Sequence, residues 1–160
     1  MKMKRLDLEA ISELTDIELE RLQYCVDEGL VPQRDWLLQA DDERQLDGID
    51  ELTGTFLVCA IRLLDAGYAE QSVPSLLRNI CLVVKQGRNP LRLPIAADIV
   101  SASRIVVQMA DGCHVRWKVD GRDTGWIRIH AGKRRLVPDH VPRIVTAIDM
   151  SAIHDQVVGR

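Results

Sequence analysis

The sequence predicts an α+β protein in which about four helices are followed by a small antiparallel β domain. Between residues 8 and 84, apolar residues recur every three or four positions, which is the period of a helix that buries one face. From residue 105 onwards they alternate with polar residues, which is the period of a strand. A joint containing Gly and Pro at 87–90 separates the two patterns, so we expect one domain over 1–88 and a second over 91–160.

The chain begins with a short predicted helix and a second helix close behind it. Asp7 precedes the first apolar positions and stands where a side chain caps a helix. Residues 15–18 (TDIE) have the spacing of a capping box and predict that the second helix starts at Thr15. Gly29, followed by Pro32, predicts where that helix ends.

Two further helices are predicted before the joint. Residues 36–46 are short and mixed in character, and they fit either two small strands or an irregular loop. The clearest helical stripe of the chain runs from Leu52 to Leu64 and ends at Gly67. A fourth helix opens near Pro74, because proline is favoured in a first turn, and stops before Gly87.

The C-terminal part predicts a sheet. Residues 94–103 fit a short helix, and the alternating segments that follow are separated by Gly-containing turns. Five segments are strand candidates, of which the last two are weaker: 105–109, 115–119, 127–129, 134–137 and 144–148.

Composition and charge exclude several classes of protein. Hydrophobic residues at 46% and charged residues at 28% are near the averages for globular chains, which excludes intrinsic disorder and collagen-like structure. The net charge of −3 is the sum of an acidic N-terminal part and a basic C-terminal part. Residues 1–82 carry 8 basic and 17 acidic side chains, whereas 83–160 carry 13 basic and 7 acidic ones. We therefore expect the two parts to attract each other, or to form a homo-oligomer through this acidic and basic complementarity.

The sequence predicts a cytoplasmic protein without a membrane partner. No segment approaches the roughly 18 apolar residues of a membrane helix, and no apolar signal-peptide core follows the basic N-terminus. The four cysteines are far apart and form no C-x-x-C pair, so we expect buried thiols and neither a metal site nor a cofactor.

Catalytic patterns are weak, and we do not expect an enzyme or catalytic residues. Cys113 and His114 are neighbours, so on a strand they would point to opposite faces and form no nucleophile and base pair. His140 and His154 each adjoin an aspartate, an arrangement that is common on protein surfaces. The GRDTG segment at 121–125 fits a turn better than a phosphate-binding loop.

Residues 8–32, LEAISELTDIELERLQYCVDEGLVP, resemble the MerR-type winged-helix regulators. In that family the first helix, a short turn and a recognition helix end in a similar E-G-L-x-P signature. Residues 52–77 look like the helix pair that follows the wing, including Gly67-Tyr68 at the end of a helix. The resemblance implies a MerR-like winged helix-turn-helix and a DNA-binding transcription regulator. Its second helix would enter the major groove of double-stranded DNA, and its wing would touch the backbone.

The resemblance implies a set of candidate DNA contacts on the recognition helix and the wing: Arg21, Gln23, Tyr24, Arg34 and Arg44. The same region carries five acidic residues between 15 and 29, and DDE at 41–43 forms the tip of the expected wing. Carboxylates at these places would repel a duplex, whose affinity depends on neutralising cations. The alternative is therefore a winged-helix protein-interaction module, similar to chaperone-modulating relatives of the family, that binds a protein partner and no DNA.

The predicted sheet has a second, basic face. Val115, Trp117 and Val119 should point inward, which leaves the basic side chains and Trp126 on the other face. We call this set the basic β-face: Arg116, Lys118, Trp126, Arg128, Lys133, Arg134 and Arg135. It could bind nucleic acid, with the aromatic ring stacked on a base. Two alternatives remain open: a solvated face whose Arg side chains cover Trp126, or a face docked against the acidic helices.

Overall fold

The structure is a computed structural model that describes residues 4–31, 49–80 and 89–160. Its helices are α1 (Leu8–Thr15), α2 (Leu19–Asp27), α3 (Glu51–Asp65), α4 (Val73–Ile80), α5 (Ala96–Ser101) and α6 (Met150–Val158). Its strands are β1 (Arg5–Leu6), β2 (Ile49–Asp50), β3 (Ile105–Ala110), β4 (His114–Val119), β5 (Arg122–Asp123), β6 (Ile127–His130), β7 (Lys133–Leu136) and β8 (Val145–Asp149). The predicted α+β class is confirmed. Among the helices in these ranges, none is apolar over a length that would cross a bilayer.

The start of α1 is as predicted, but the start of α2 is not. Asp7 caps α1, since its carboxylate accepts a hydrogen bond from the Ala10 N–H at 2.7 Å. The capping box predicted at Thr15 is wrong, because Thr15 is the last residue of α1 and its hydroxyl donates to the Ile11 carbonyl at 2.6 Å. Glu18 takes the N-cap position of α2 and makes no side-chain capping bond.

The predicted ends of α2 and α3 are confirmed. Gly29 has a φ of +65°, and the chain turns there as the Leu30 N–H bonds to the Cys25 carbonyl at 3.0 Å. Gly67 has a φ of +93° and follows α3 in the same way. Pro74 lies in the first turn of α4, as predicted. Pro32, residues 36–46 and Gly87 lie outside the described residues.

Six of the strands form one antiparallel sheet. Its order is β7-β6-β4-β3-β8, with β5 paired to β4 at the side. The other two strands, β1 and β2, pair with each other. All five strand predictions of the C-terminal part are confirmed, and the helix expected within 94–103 is α5.

The helix α6 was not expected from the sequence. Asp149 at the end of β8 caps it by accepting from the Ala152 N–H at 3.0 Å, and Gly159, with a φ of +80°, ends it. The helix packs against α1 and α3. At Gly54 of α3 the approach is so close that a Cβ atom would lie 3.1 Å from Val157 of α6.

The hydrophobic core of the described residues is one cluster. It contains residues of the N-terminal helices, such as Ile11 and Leu22, together with residues of the sheet, such as Ile105 and Trp117. The helix α3 lies at its centre and is buried over most of its length. The predicted domain boundary between 88 and 91 stays a prediction.

Two polar contacts also join distant parts of the chain. The Tyr68 hydroxyl, which follows α3, lies 2.6 Å from the Thr146 hydroxyl of β8. The buried His154 of α6 forms a hydrogen bond of 3.1 Å through Nε2 to Oε2 of Glu51, which is buried at the start of α3.

Candidate functional site

The first candidate site is the surface of α1 and α2. Leu22 and Cys25 of α2 are buried against the core, whereas the side chains at 20, 23, 24, 26 and 27 are exposed. Eight carboxylates are exposed on α1, α2 and their ends, and they form what we call the acidic surface: Asp7, Glu9, Glu13, Asp16, Glu18, Glu20, Asp27 and Glu28. Within 7–28 the only basic residue is Arg21, so the surface has a strongly negative charge.

Each described candidate for DNA contact is bonded to a carboxylate of the same chain. The Arg21 guanidinium donates to Asp65 at 2.7 Å, and the Gln23 amide donates to Asp27 at 2.8 Å. The Tyr24 hydroxyl donates to Glu70 at 2.6 Å. Arg34 and Arg44 lie outside the described residues, as does the tip of the expected wing.

These hydrogen bonds favour the protonated forms of Arg21 and Tyr24. The hydrogen bond to Glu70 raises the pKa of Tyr24 to about 12, because ionisation would place a phenolate against a carboxylate. The bond to Asp65 likewise raises the pKa of Arg21 above its usual value. Both side chains therefore keep their protons and hold the carboxylates of α3 and of the turn before α4.

A shallow cleft and exposed apolar side chains accompany the acidic surface. The cleft has a volume of about 290 Å³ and is lined by residues of α2 and α3: Glu20, Arg21, Tyr24, Cys25, Ile61 and Leu64. Leu14, Tyr24 and Val26 are between 41% and 46% exposed, so apolar area lies among the carboxylates. Such a mixture is more typical of a protein-binding surface than of a phosphate-binding one.

The second candidate site is the basic β-face. Its inward and outward alternation is as predicted, with Val115, Trp117 and Val119 buried. Trp126, however, is only 4% exposed, because the Arg116 guanidinium lies 4.6 Å from the centre of its ring. The structure thus matches the alternative in which an Arg side chain covers Trp126, and the ring has little surface with which to stack on a base.

The other basic residues of this face are mainly exposed. Arg116 is also bonded to Gln108 at 2.8 Å, and its Nε lies 3.7 Å from Asp123. Arg134 is half-buried, whereas four side chains are exposed: Lys118, Arg128, Lys133 and Arg135. Strand pairing places His114, Arg128 and Arg135 opposite one another across β4, β6 and β7, so they share one row of the sheet.

The third candidate site is a cluster that sequence reasoning missed, and we call it the Asp-His cluster: Asp111, His114 and His140. Asp111 lies in the β3–β4 turn with a φ of +49°, and His114 begins β4. His140 follows β7, in a turn closed by its N–H and the Val137 carbonyl. The sequence associated His140 with its neighbour Asp139, whereas the structure pairs it with Asp111 at 2.9 Å.

The two imidazoles of the Asp-His cluster stack. Their ring centres are 3.6 Å apart and their planes differ by 4°, and the rings of Trp126 and His140 form a T-shaped pair with their centres 5.8 Å apart. Burial lowers the pKa of His114, and His140 and Arg128 lower it further, while Asp111 acts in the opposite direction. A neutral imidazole is the form of histidine that binds metals.

The prediction that the side chains of Cys113 and His114 point to opposite faces of a strand is wrong. It lies in the turn before β4 rather than on the strand, and its Sγ is 3.5 Å from Nδ1 of His114. The two side chains therefore meet, although they were predicted to point apart. Both line a cavity of about 250 Å³ that reaches Asp111, Tyr68 and Thr146.

Comparisons with models of protein families, with curated proteins and with solved structures found no match to this chain. The resemblance to MerR-type regulators therefore rests on the residues of 8–32 and 52–77 alone, and it stays a prediction.

Proposed function

We propose that the protein is a winged-helix protein-interaction module whose acidic surface binds a basic protein partner. The observation that carries this proposal is the pairing of Arg21, Gln23 and Tyr24, the described candidates for DNA contact, with carboxylates of the same chain. A recognition helix that reads DNA offers such side chains to phosphates and base edges. Here they would have to leave their carboxylates before they could touch a duplex.

The charge of the acidic surface supports the same choice of partner. Eight exposed carboxylates against one arginine repel phosphate and attract Lys and Arg side chains. Exposed Val26 and the cleft beside Tyr24 add apolar area that an aliphatic or aromatic side chain of the partner can cover. The partner is therefore a basic protein segment with at least one apolar side chain.

Affinity capture with a single charge reversal tests this proposal. Glu20→Lys places a cation at the edge of the cleft, and Asp139→Lys is a matched control because Asp139 is exposed outside the acidic surface. We expect a partner captured by the wild-type chain to decrease about tenfold or more with Glu20→Lys, because like charges meet, and to remain with Asp139→Lys. Equal capture by all three chains would contradict the proposal.

The second candidate function is that of a DNA-binding transcription regulator, and one observation favours it. The basic β-face carries exposed Arg128 and Arg135 in one row, with Lys133 close by on β7. Such a row can track phosphates without reading bases. Binding of duplex DNA would then depend on Arg128 and Arg135, and it would weaken steeply as salt rises.

The acidic surface and the basic β-face could also join two copies of this chain into a homo-oligomer, because the acidic surface of one copy complements the basic β-face of another. Sedimentation at low and high salt distinguishes it from a partner of another kind. Dimers that dissociate at high salt, and that Glu20→Lys weakens, would identify the partner as a second copy of this chain.

A further inference from the structure

The donor atoms of the Asp-His cluster are those of a transition-metal site. Two imidazoles and one carboxylate each offer a ligand atom, and these atoms all lie within 4.8 Å of one another. Around a tetrahedral zinc ion, with ligand distances of about 2.1 Å, neighbouring ligand atoms are about 3.4 Å apart. Oδ2 of Asp111 and Nε2 of His140 are already 2.9 Å apart, so both lie within reach of one ion. The two imidazoles are stacked face to face, and a metal binds a ring nitrogen in the plane of its ring, so one imidazole has to rotate out of the stack when the ion binds.

One ligand of the cluster is anchored in the sheet, and the other two lie in turns. His114 is the first residue of β4 and is paired with Ala110 of β3, so its backbone is fixed by the sheet. Asp111 follows Ala110 directly in the tight turn, and the ring of His140 contacts the rings of His114 and Trp126. The backbone of His114 therefore loses little conformational freedom when a metal binds, whereas the stacked rings have to reorient.

We propose that Asp111, His114 and His140 form a binding site for a divalent transition-metal ion, and that zinc is the ion it fits best. Imidazole nitrogens suit zinc and its neighbours, whereas calcium and magnesium prefer a shell of oxygen atoms only. Three protein ligands leave a fourth position for water or another small ligand. Asp111 and His114 line the cavity of about 250 Å³, so a metal held by them borders that space.

The charges around the cluster set limits on its affinity. Arg128 lies opposite His114 in the sheet and opposes a cation, whereas Asp111 contributes the one negative charge among the three ligands. The Cys113 sulfur is 3.5 Å from Nδ1 of His114 and is a soft atom beside the site. We therefore expect affinity for zinc in the micromolar range rather than the much tighter binding of a structural Cys₄ site.

Calorimetric titration of the untagged, chelator-treated full chain with ZnCl₂ tests the site. We expect one equivalent to bind, and Co²⁺ in its place to give visible absorption bands that report its ligand geometry. His140→Ala should weaken zinc binding by about a hundredfold or more, since even the loss of a supporting group costs 10 to 100-fold in such sites. His130→Ala is the matched control, because His130 is an exposed histidine at the end of β6 outside the cluster, and it should leave the affinity unchanged.

A second variant keeps the test decisive if His140→Ala does not fold. Asp111→Asn removes the charged ligand while keeping the size of the side chain, and it should also lower the affinity and alter the cobalt bands. A dissociation constant for zinc of about 0.1 mM or weaker would overturn the proposal, because that is the affinity expected of a chain that lacks one ligand. Binding that His140→Ala and Asp111→Asn leave intact would overturn it as well.

Discussion

From the buried contact between Glu51 and His154 we predict that His154→Ala lowers the free energy of unfolding. His154→Ala removes the imidazole whose Nε2 lies 3.1 Å from Oε2 of Glu51, in a place where the two side chains are 2% and 6% exposed. The other carboxylate oxygen keeps its hydrogen bond from the Lys4 N–H at 3.2 Å. One oxygen of Glu51 is then left buried without its partner, next to the space that the ring has vacated.

The expected cost is about 3 kcal/mol of the free energy of unfolding. A buried acceptor that loses its donor typically costs about 1 to 3 kcal/mol, and the space vacated by the ring adds to this, so we expect the upper end of that range. Globular domains are stable by only about 5 to 15 kcal/mol, so the loss is easily measured. The assay is urea unfolding followed by circular dichroism, with the slope of the transition compared between variants.

Two further variants show whether the cost of His154→Ala comes from its bond to Glu51. Asp155→Ala is the matched control, because its carboxylate is 49% exposed and 3.9 Å from Nδ1 of His154, so it should cost less than about 1 kcal/mol. Replacement of both Glu51 and His154 by Leu should cost less than the sum of the two single changes, since the two side chains that bond to each other are removed together and only the Lys4 N–H loses its acceptor. A cost below about 1 kcal/mol for His154→Ala would refute the role given to this pair.

Three other predictions concern the helix ends, the contact between the N-terminal helices and the sheet, and the thiols. Asp7→Ala should destabilise the protein by about 1 kcal/mol in urea unfolding, because α1 loses its N-cap. Tyr68→Phe should cost about 1 kcal/mol through loss of the bond to Thr146, and adding Thr146→Val should cost little more. Burial raises the pKa of Cys59 to about 12, so at pH 8 its thiolate fraction is about a thousandfold below that of an ordinary thiol. In the native protein iodoacetamide should therefore label Cys59 at least about a hundredfold more slowly than half-buried Cys113, as peptide mass spectrometry can measure.

The spacing of apolar residues predicted the helices and strands well in segments where it clearly followed either the helical or the strand period. The stripe from Leu52 to Leu64 and the alternation from 105 to 129 could each be read because a helix and a strand bury different sets of residues. The error at Thr15 arose because two helices meet there: Thr15 ends α1, and its hydroxyl donates to the Ile11 carbonyl within that helix. The helix α6 was missed although Asp149 and Gly159 mark its two ends, because it follows β8 without an intervening turn.

The candidate sites were harder to predict than the fold, for a physical reason. Residues of the basic β-face were recognisable because strand alternation assigns each one to a side of the sheet, but the burial of Trp126 depends on where Arg116 lies. The Asp-His cluster brings Asp111 to His140 across 29 positions through the path of a loop, and neither periodicity nor spacing encodes such a contact. The bonds of Arg21 and Tyr24 to Asp65 and Glu70 likewise depend on how α2 packs on α3.

The central claim is that the acidic surface binds protein rather than DNA, and fluorescence anisotropy with duplex DNA at about 50 mM salt tests it most directly. Electrostatic contacts to phosphate are strong under these conditions, so a recognition helix that binds DNA would raise the anisotropy measurably. The measurement compares the wild-type chain with Arg21→Ala and with Arg128→Ala. We predict that Arg21→Ala changes nothing and that any binding observed is weakened by Arg128→Ala. Duplex binding that Arg21→Ala abolishes would contradict the account.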